Sequence, residues 1–174
     1  MATVVDQVGT RAASRTDGRP WLRWGIAVFA GVEAIHVTGG TLGNDWEGWR
    51  TFFENLSFIL VSGLVIVGLT YGLLVRWGLK PSPRGRNRPA LTGLVAGVLS
   101  IASYPLFFAW APFLIAPAAL MLGRAGLARA QETRQGRGYA MVGVFLGLVS
   151  LAFGVAMLVY AALHDGNFPP PFGD

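Results

Sequence analysis

The stretch Ala90–Gly123, ALTGLVAGVLSIASYPLFFAWAPFLIAPAALMLG, contains no charged side chain and is longer than the ~20 residues that cross hydrocarbon once. Whether it forms one helix or two decides the topology of the chain. The flanking charges settle the question. Basic residues cluster on both sides of it, in RWGLKPSPRGRNR at 76–88 and RAGLARAQETRQGR at 124–137. If both clusters are retained on the cytoplasmic side, an even number of crossings must join them. The stretch is therefore expected to fold as a hairpin, about 90–106 outward and 111–127 back. The turn falls in YPLFFAWAP, where Pro105 and Pro112 interrupt helical hydrogen bonding and Pro112 suits the first turn of the returning arm. Arms of ~17 residues span about 25 Å, short for a full crossing, so a re-entrant loop is the alternative.

The rest of the chain has the same character. It is 174 residues long, 53% hydrophobic and only 13% charged, too apolar for an ordinary solvated surface. The other apolar runs, about 22–42, 55–77 and 139–163, are continuous and without period-2 alternation, which favours helices over a barrel. The N-terminal tail carries Arg11, Arg15 and Arg19, whereas GNDWEGWRTFFE at 43–54 and the tail after His164 are acidic. A cleaved signal peptide fits poorly, because Glu33 interrupts the first apolar run and VTGGTLGND offers no small-residue cleavage site.

The expectation is an all-α integral membrane protein of about five transmembrane helices, N-terminus in and C-terminus out, in a bacterial inner membrane. Its segments would be a disordered tail (1–20), an N-terminal hairpin (21–78), a basic linker (79–89), a three-helix domain (90–163) and an extended Pro-rich tail (164–174). Trp46, Trp49 and Phe53 share one face of a short interfacial helix near 44–54, as an aromatic belt at the headgroups or a lid.

Zero cysteines exclude disulfides, a thiol nucleophile and thiolate metal sites. No phosphate-binding loop, dinucleotide fingerprint, zinc spacing or G-x-S-x-G elbow is present. The net charge of +5 comes from thirteen arginines and one lysine that mostly flank apolar runs, so orientation and lipid headgroups account for it without nucleic acid. The Arg, Ala and Gly bias suggests a high-GC bacterial source.

Small-xxx-small pairs recur at Gly39/Gly43, Gly68/Gly72, Gly93/Gly97 and Gly143/Gly147. Such pairs let helices approach closely where lipid removes the hydrophobic drive between them. Two lie in matching segments, GLVAGVLS at 93–100 and GVFLGLVS at 143–150, a weak repeat that would place Ser100 and Ser150 at similar depth. The repeat reads either as packing or as a repeat-built substrate site. The partners expected are the lipid bilayer and, through these faces, a second copy or another membrane protein.

Residues 90–163 also carry Leu122-Gly123, Gly126-Leu127-Ala128-Arg129, a basic stretch, and Gly136-Arg137-Gly138-Tyr139-Ala140 followed by Gly143 and Gly147. This pattern resembles a family of small actinobacterial membrane domains of unknown function. Gly126 stands where that family usually has Ala, and the two N-terminal helices lie outside the likeness. The resemblance implies topology and no mechanism.

Chemistry is concentrated in GVEAIHVTGG at 31–40. Glu33 and His36, at i and i+3, share one helical face. An ionisable group facing lipid costs at least ~2.5 kcal/mol, so that face should meet protein. By depth, Ser62 matches His36, and Ser100 and Ser150 match Glu33. Four readings compete: hydrogen-bonded packing, a proton or ion relay, a metal or haem ligand, and an acid/base catalyst. The metal reading lacks a second Glu-x-x-His motif, and the enzyme reading lacks a nucleophile and oxyanion donors. No catalytic residue, metal or cofactor is assigned. His164 reads as interfacial.

Overall fold

The computed structural model describes residues 20–42, 49–81 and 86–164, and these are almost entirely helical, with no strand among them. Helix α1 is Pro20–Leu42. Helix α2 is Trp49–Val67 and continues through π-helical turns at Gly68–Val75 into the final turn Arg76–Leu79. Helix α3 is Arg88–Ala102, a 3₁₀ segment occupies Tyr104–Ala109, and α4 (Ala111–Thr133) and α5 (Arg137–Leu163) complete the chain. The expected disordered tail, Gly43, Trp46 and the Pro-rich tail lie outside the described residues.

Among the described residues, three segments are long and apolar enough to cross a membrane: Leu60–Leu79, Ala111–Glu132 and Arg137–Leu163. Their surroundings agree with that. Large aliphatic and aromatic side chains point outward, among them Val61, Leu73, Phe145 and Leu163, while Ala90, Ala96, Ala116, Ala118, Ala119 and Ala140 fill the inside. Burying the small residues and exposing the large apolar ones gives an exterior suited to hydrocarbon.

The hairpin at 90–123 is present, with different limits from those expected. Helix α3 starts two residues early, because Asn87 caps it by accepting from the Ala90 N–H and Pro89 occupies its first turn. It stops at Ala102 rather than 106, giving 15 residues, and Pro105 enters a 3₁₀ turn. Trp110 adopts a left-handed conformation (φ 56°) that reverses the chain into α4. Pro112 lies in the first turn of α4, as anticipated. The returning arm runs to Thr133, six residues past the expected 127, since LARAQET contains good helix formers and no breaker. It ends at Arg134, also left-handed (φ 55°), and Gly136 (φ 75°) swings the chain into α5.

The separate interfacial helix is corrected over the part described. Residues 49–54 are the opening turns of α2, with Phe53 exposed. Nothing between Trp49 and Leu60 breaks helix, and extending an existing helix is far easier than nucleating a second.

Helices α3, α4 and α5 form the compact part of the molecule, α3 antiparallel to α4 and parallel to α5. Glycines set their spacing. A Cβ on Gly143 would lie 2.6 Å from the carbonyl carbon of Gly93, and one on Gly93 would lie 2.8 Å from the backbone nitrogen of Gly123. Gly97 packs on Leu146 and the Gly143 carbonyl, and Gly147 packs on Ala116, Ala119 and Leu120. The N-terminal hairpin joins this bundle through the π-helical part of α2, where Tyr71 and Val75 enter a cluster with Ala96, Ala118, Ala119 and Leu122.

Candidate functional site

Glu33 of α1 is directed at α2. The two helices run antiparallel, and two glycines set their approach: Gly25 of α1 receives the ring of Tyr71, and Gly63 of α2 receives Phe29 and Glu33. A Cβ on Gly63 would lie 2.8 Å from Cε2 of Phe29 and 3.5 Å from Oε1 of Glu33. Glu33 is thus half-buried in a notch made by the missing side chain of Gly63. Its Oε2 is wholly covered and makes no hydrogen bond to any described residue.

The structure separates the residues that depth grouped together. Ser62 adjoins Gly63 in α2 and is half-buried. Ser100 and Ser150 are fully buried elsewhere, in the α3–α4–α5 bundle, whereas α1 packs on α2 and α4. Ser100 Oγ donates to the Gly97 carbonyl at 2.8 Å, a local bond within its own helix. Ser150 contributes its backbone, accepting from the Tyr104 hydroxyl at 2.5 Å, and its Oγ makes no hydrogen bond to a described residue. The backbone of His36 lies in α1, as do those of Ala34 and Val37, and its side chain is outside the described residues. The same holds for Gly39, and for Trp49 in α2.

Glycine pairs divide into two classes. Gly93, Gly97, Gly143 and Gly147 are all consumed by contacts inside the bundle. Gly68 and Gly72, in the π-helical part of α2, have nothing within 4 Å of a Cβ built on them. Among the described residues no neighbour would meet a side chain at either position; the π-helical turns bury Thr70, Tyr71 and Val75 and leave Gly68 exposed and Gly72 half-buried.

Several structural residues carried no signal that spacing could expose. Asn87 joins three segments: Nδ2 donates to the carbonyls of Gly126 at 2.8 Å and Gln135 at 2.9 Å, while Oδ1 caps α3. In sequence it is one polar residue inside a basic run. Gly126 lies against Ala90, where a Cβ would come within 2.7 Å of the backbone nitrogen, so alanine does not fit. Tyr104 packs edge-on against Phe153 at 4.8 Å while it bonds to Ser150, fastening the 3₁₀ turn to α5. Tyr71 is only 2% exposed, yet its hydroxyl has no partner among the described residues.

At the end of α5, the His164 ring stacks on Tyr160 at 3.9 Å, and Nδ1 lies 2.8 Å from the Tyr160 carbonyl. These contacts are local to the helix terminus. No group of three metal-capable side chains occurs among the described residues. No family model matches the chain, no curated protein matches it, and no solved structure matches its fold.

Proposed function

We propose that the protein is a multi-pass component of a bacterial inner membrane, with five spans, its N-terminus inside and its C-terminus outside, and that its role is structural, in assembly with a second copy or another membrane protein. The observation that carries this reading is the contrast between its glycines. Gly93, Gly97, Gly143 and Gly147 of α3 and α5 are used up in packing against neighbouring backbone, which favours a rigid bundle, whereas Gly68 and Gly72 leave an open notch on α2. In lipid, small residues on an outer helix face are where another helix can approach. The resemblance of residues 90–163 to small actinobacterial membrane domains is part of the same proposal and rests on the quoted motifs.

Two experiments test it. Reporters fused after Arg86 and after Arg134 should both report the cytoplasm, and disagreement would replace the α3/α4 hairpin with a different topology. Energy transfer between labelled copies in liposomes should fall when Gly68 and Gly72 are both changed to Leu; unchanged transfer would remove α2 as the associating face.

A second reading is favoured by Glu33, whose buried Oε2 has no hydrogen-bond partner among the described residues. Intramembrane carboxylates commonly serve proton or ion movement. On that reading the protein is a proton-coupled module, and proteoliposomes would show pH-dependent flux that Glu33→Gln abolishes. Flux no higher than in empty vesicles returns Glu33 to a packing role.

A further inference from the structure

A cavity of about 350 Å³ lies between the N-terminal hairpin and the bundle, lined by Trp24 of α1, Tyr71 of α2, and Pro117, Leu120, Met121 and Arg124 of α4. Its volume is at the lower end of the ~300–1,000 Å³ typical of small-molecule sites. Three helices contribute to it, so it exists only because the hairpin docks on α4.

The lining has a pronounced chemical bias. Pro117, Leu120, Met121 and the face of Trp24 are apolar. The polar groups are the Arg124 guanidinium and the Trp24 indole N–H, while the Tyr71 hydroxyl is itself covered and does not open on the cavity. Arginine and tryptophan only donate hydrogen bonds. None of the six lining residues is a carboxylate. Tyr71 is 2% exposed with its hydroxyl unpartnered among the described residues, although buried hydroxyls are normally bonded. It sits within the π-helical turns Gly68–Val75, a deviation from α-helix that often accompanies functional positions. A donor-rich, acid-free wall beside an apolar one suits a ligand with an acceptor-rich, anionic head and a hydrocarbon tail.

The position along the helices points the same way. Trp24, Tyr71 and Arg124 lie four, eight and nine residues from helix ends at Pro20, Leu79 and Thr133. At 1.5 Å per residue this is ~6–14 Å from those ends, where headgroup gives way to acyl chain in a bilayer. The same end of the molecule bears Arg76, Lys80, Arg88, Arg129 and Arg137, with Glu132 opposing them. A basic end of this kind concentrates anionic lipid.

We propose that this cavity binds a membrane amphiphile with an oxyanion head, namely the phosphate of an anionic phospholipid, held by Arg124 with its chain against Pro117, Leu120 and Met121. The proposal rests on the membrane reading above, which the Arg86 and Arg134 reporters test separately.

The full chain, purified in mild detergent, would be titrated with dioleoylphosphatidylglycerol, dioleoylphosphatidylcholine or oleate, and retained lipid counted by native mass spectrometry. Wild type should retain one phosphatidylglycerol in preference to phosphatidylcholine. Arg124→Gln should weaken retention by about tenfold, the usual scale for losing a bond to a charged group. Arg137→Gln, at the same end of the molecule but away from the cavity, should retain lipid as wild type does. If Arg124→Gln does not fold, Met121→Trp narrows the cavity while keeping Arg124 and should also weaken retention. Oleate displacing phosphatidylglycerol in wild type but not binding Arg124→Gln would keep the site and assign it to a fatty-acid carboxylate. Equal retention of the two phospholipids, or wild-type retention by Arg124→Gln, would overturn the proposal.

Discussion

Gly143 of α5 meets Gly93 of α3 with no side chain between the two backbones: a Cβ on Gly143 would lie 2.6 Å from the Gly93 carbonyl carbon and 2.7 Å from its oxygen. These are the opening residues of the two G-x-x-x-G-h-h-S segments, which run parallel and in register. The repeat is thus a helix-packing device, and its two serines end up buried in the same bundle. Gly143→Ala must push α3 and α5 apart, since backbone cannot swing aside as a flexible side chain can. We expect a loss of about 1–3 kcal/mol in detergent melts, the range for overpacking. Gly138→Ala, with nothing within 4 Å of the new atom, serves as the control and should melt no lower than wild type.

Asn87 offers an independent test of how the basic end of the bundle is joined. Asn87→Ala removes the cap of α3 and both bonds to the carbonyls of Gly126 and Gln135. Loss of a cap costs ~0.5–2 kcal/mol and an orphaned buried carbonyl ~1–3, so a combined loss of about 2–3 kcal/mol is expected. Asn87→Asp keeps the acceptor and loses the two donors. Thermal unfolding should therefore place it below wild type, since the Gly126 and Gln135 carbonyls both lose their donor.

Tyr104 combines a hydrogen bond with ring packing, and the two separate by substitution. Tyr104→Phe loses the bond to the Ser150 carbonyl while keeping the edge-on contact with Phe153, for about 1 kcal/mol. Tyr104→Ala loses both and should cost about 3–5 kcal/mol, as large aromatic truncations do. Equal melting temperatures for the two variants would show that the ring adds nothing.

The seam between α1 and α2 depends on the absence of a side chain at Gly63. Gly63→Leu must displace Phe29 and Glu33 together, so cysteines placed across the seam should cross-link less efficiently. Glu33→Gln preserves volume and hydrogen-bonding capacity. It should leave cross-linking unchanged whichever role the carboxylate plays.

Much of the architecture was legible because long apolar runs are visible in composition. Uncharged runs of sufficient length give the helices, and charge between them implies the hairpin at 90–123 before any contact is known. Pro112, restricted to a helix start, was placed in the right turn by local chemistry alone. Helix ends were less legible. The early start of α3 depends on Asn87, whose capping is local but whose other two bonds reach Gly126 and Gln135, far along the chain.

The candidate sites were less legible still. Sequence marked Glu33 as buried and polar, because few residues of that type survive in an apolar run without protein around them. Spacing along one helix cannot say which glycine on another helix receives it, and a shared depth does not say which residues meet: Glu33 meets Gly63, whereas Ser100 and Ser150 are buried in the α3–α4–α5 bundle. Nor does a G-x-x-x-G match tell a used face from an open one: Gly93/Gly97 and Gly68/Gly72 look alike in sequence. Only the π-helical turns of α2 separate them, by rotating Tyr71 and Val75 inward and the glycines out. The cavity beside Tyr71 depends on the same rotation and on residues from three helices. Periodicity and charge are properties of single segments, and they determined the helices; which faces meet, and what they enclose, was decided by tertiary packing, because contact depends on how segments distant in sequence are rotated against each other.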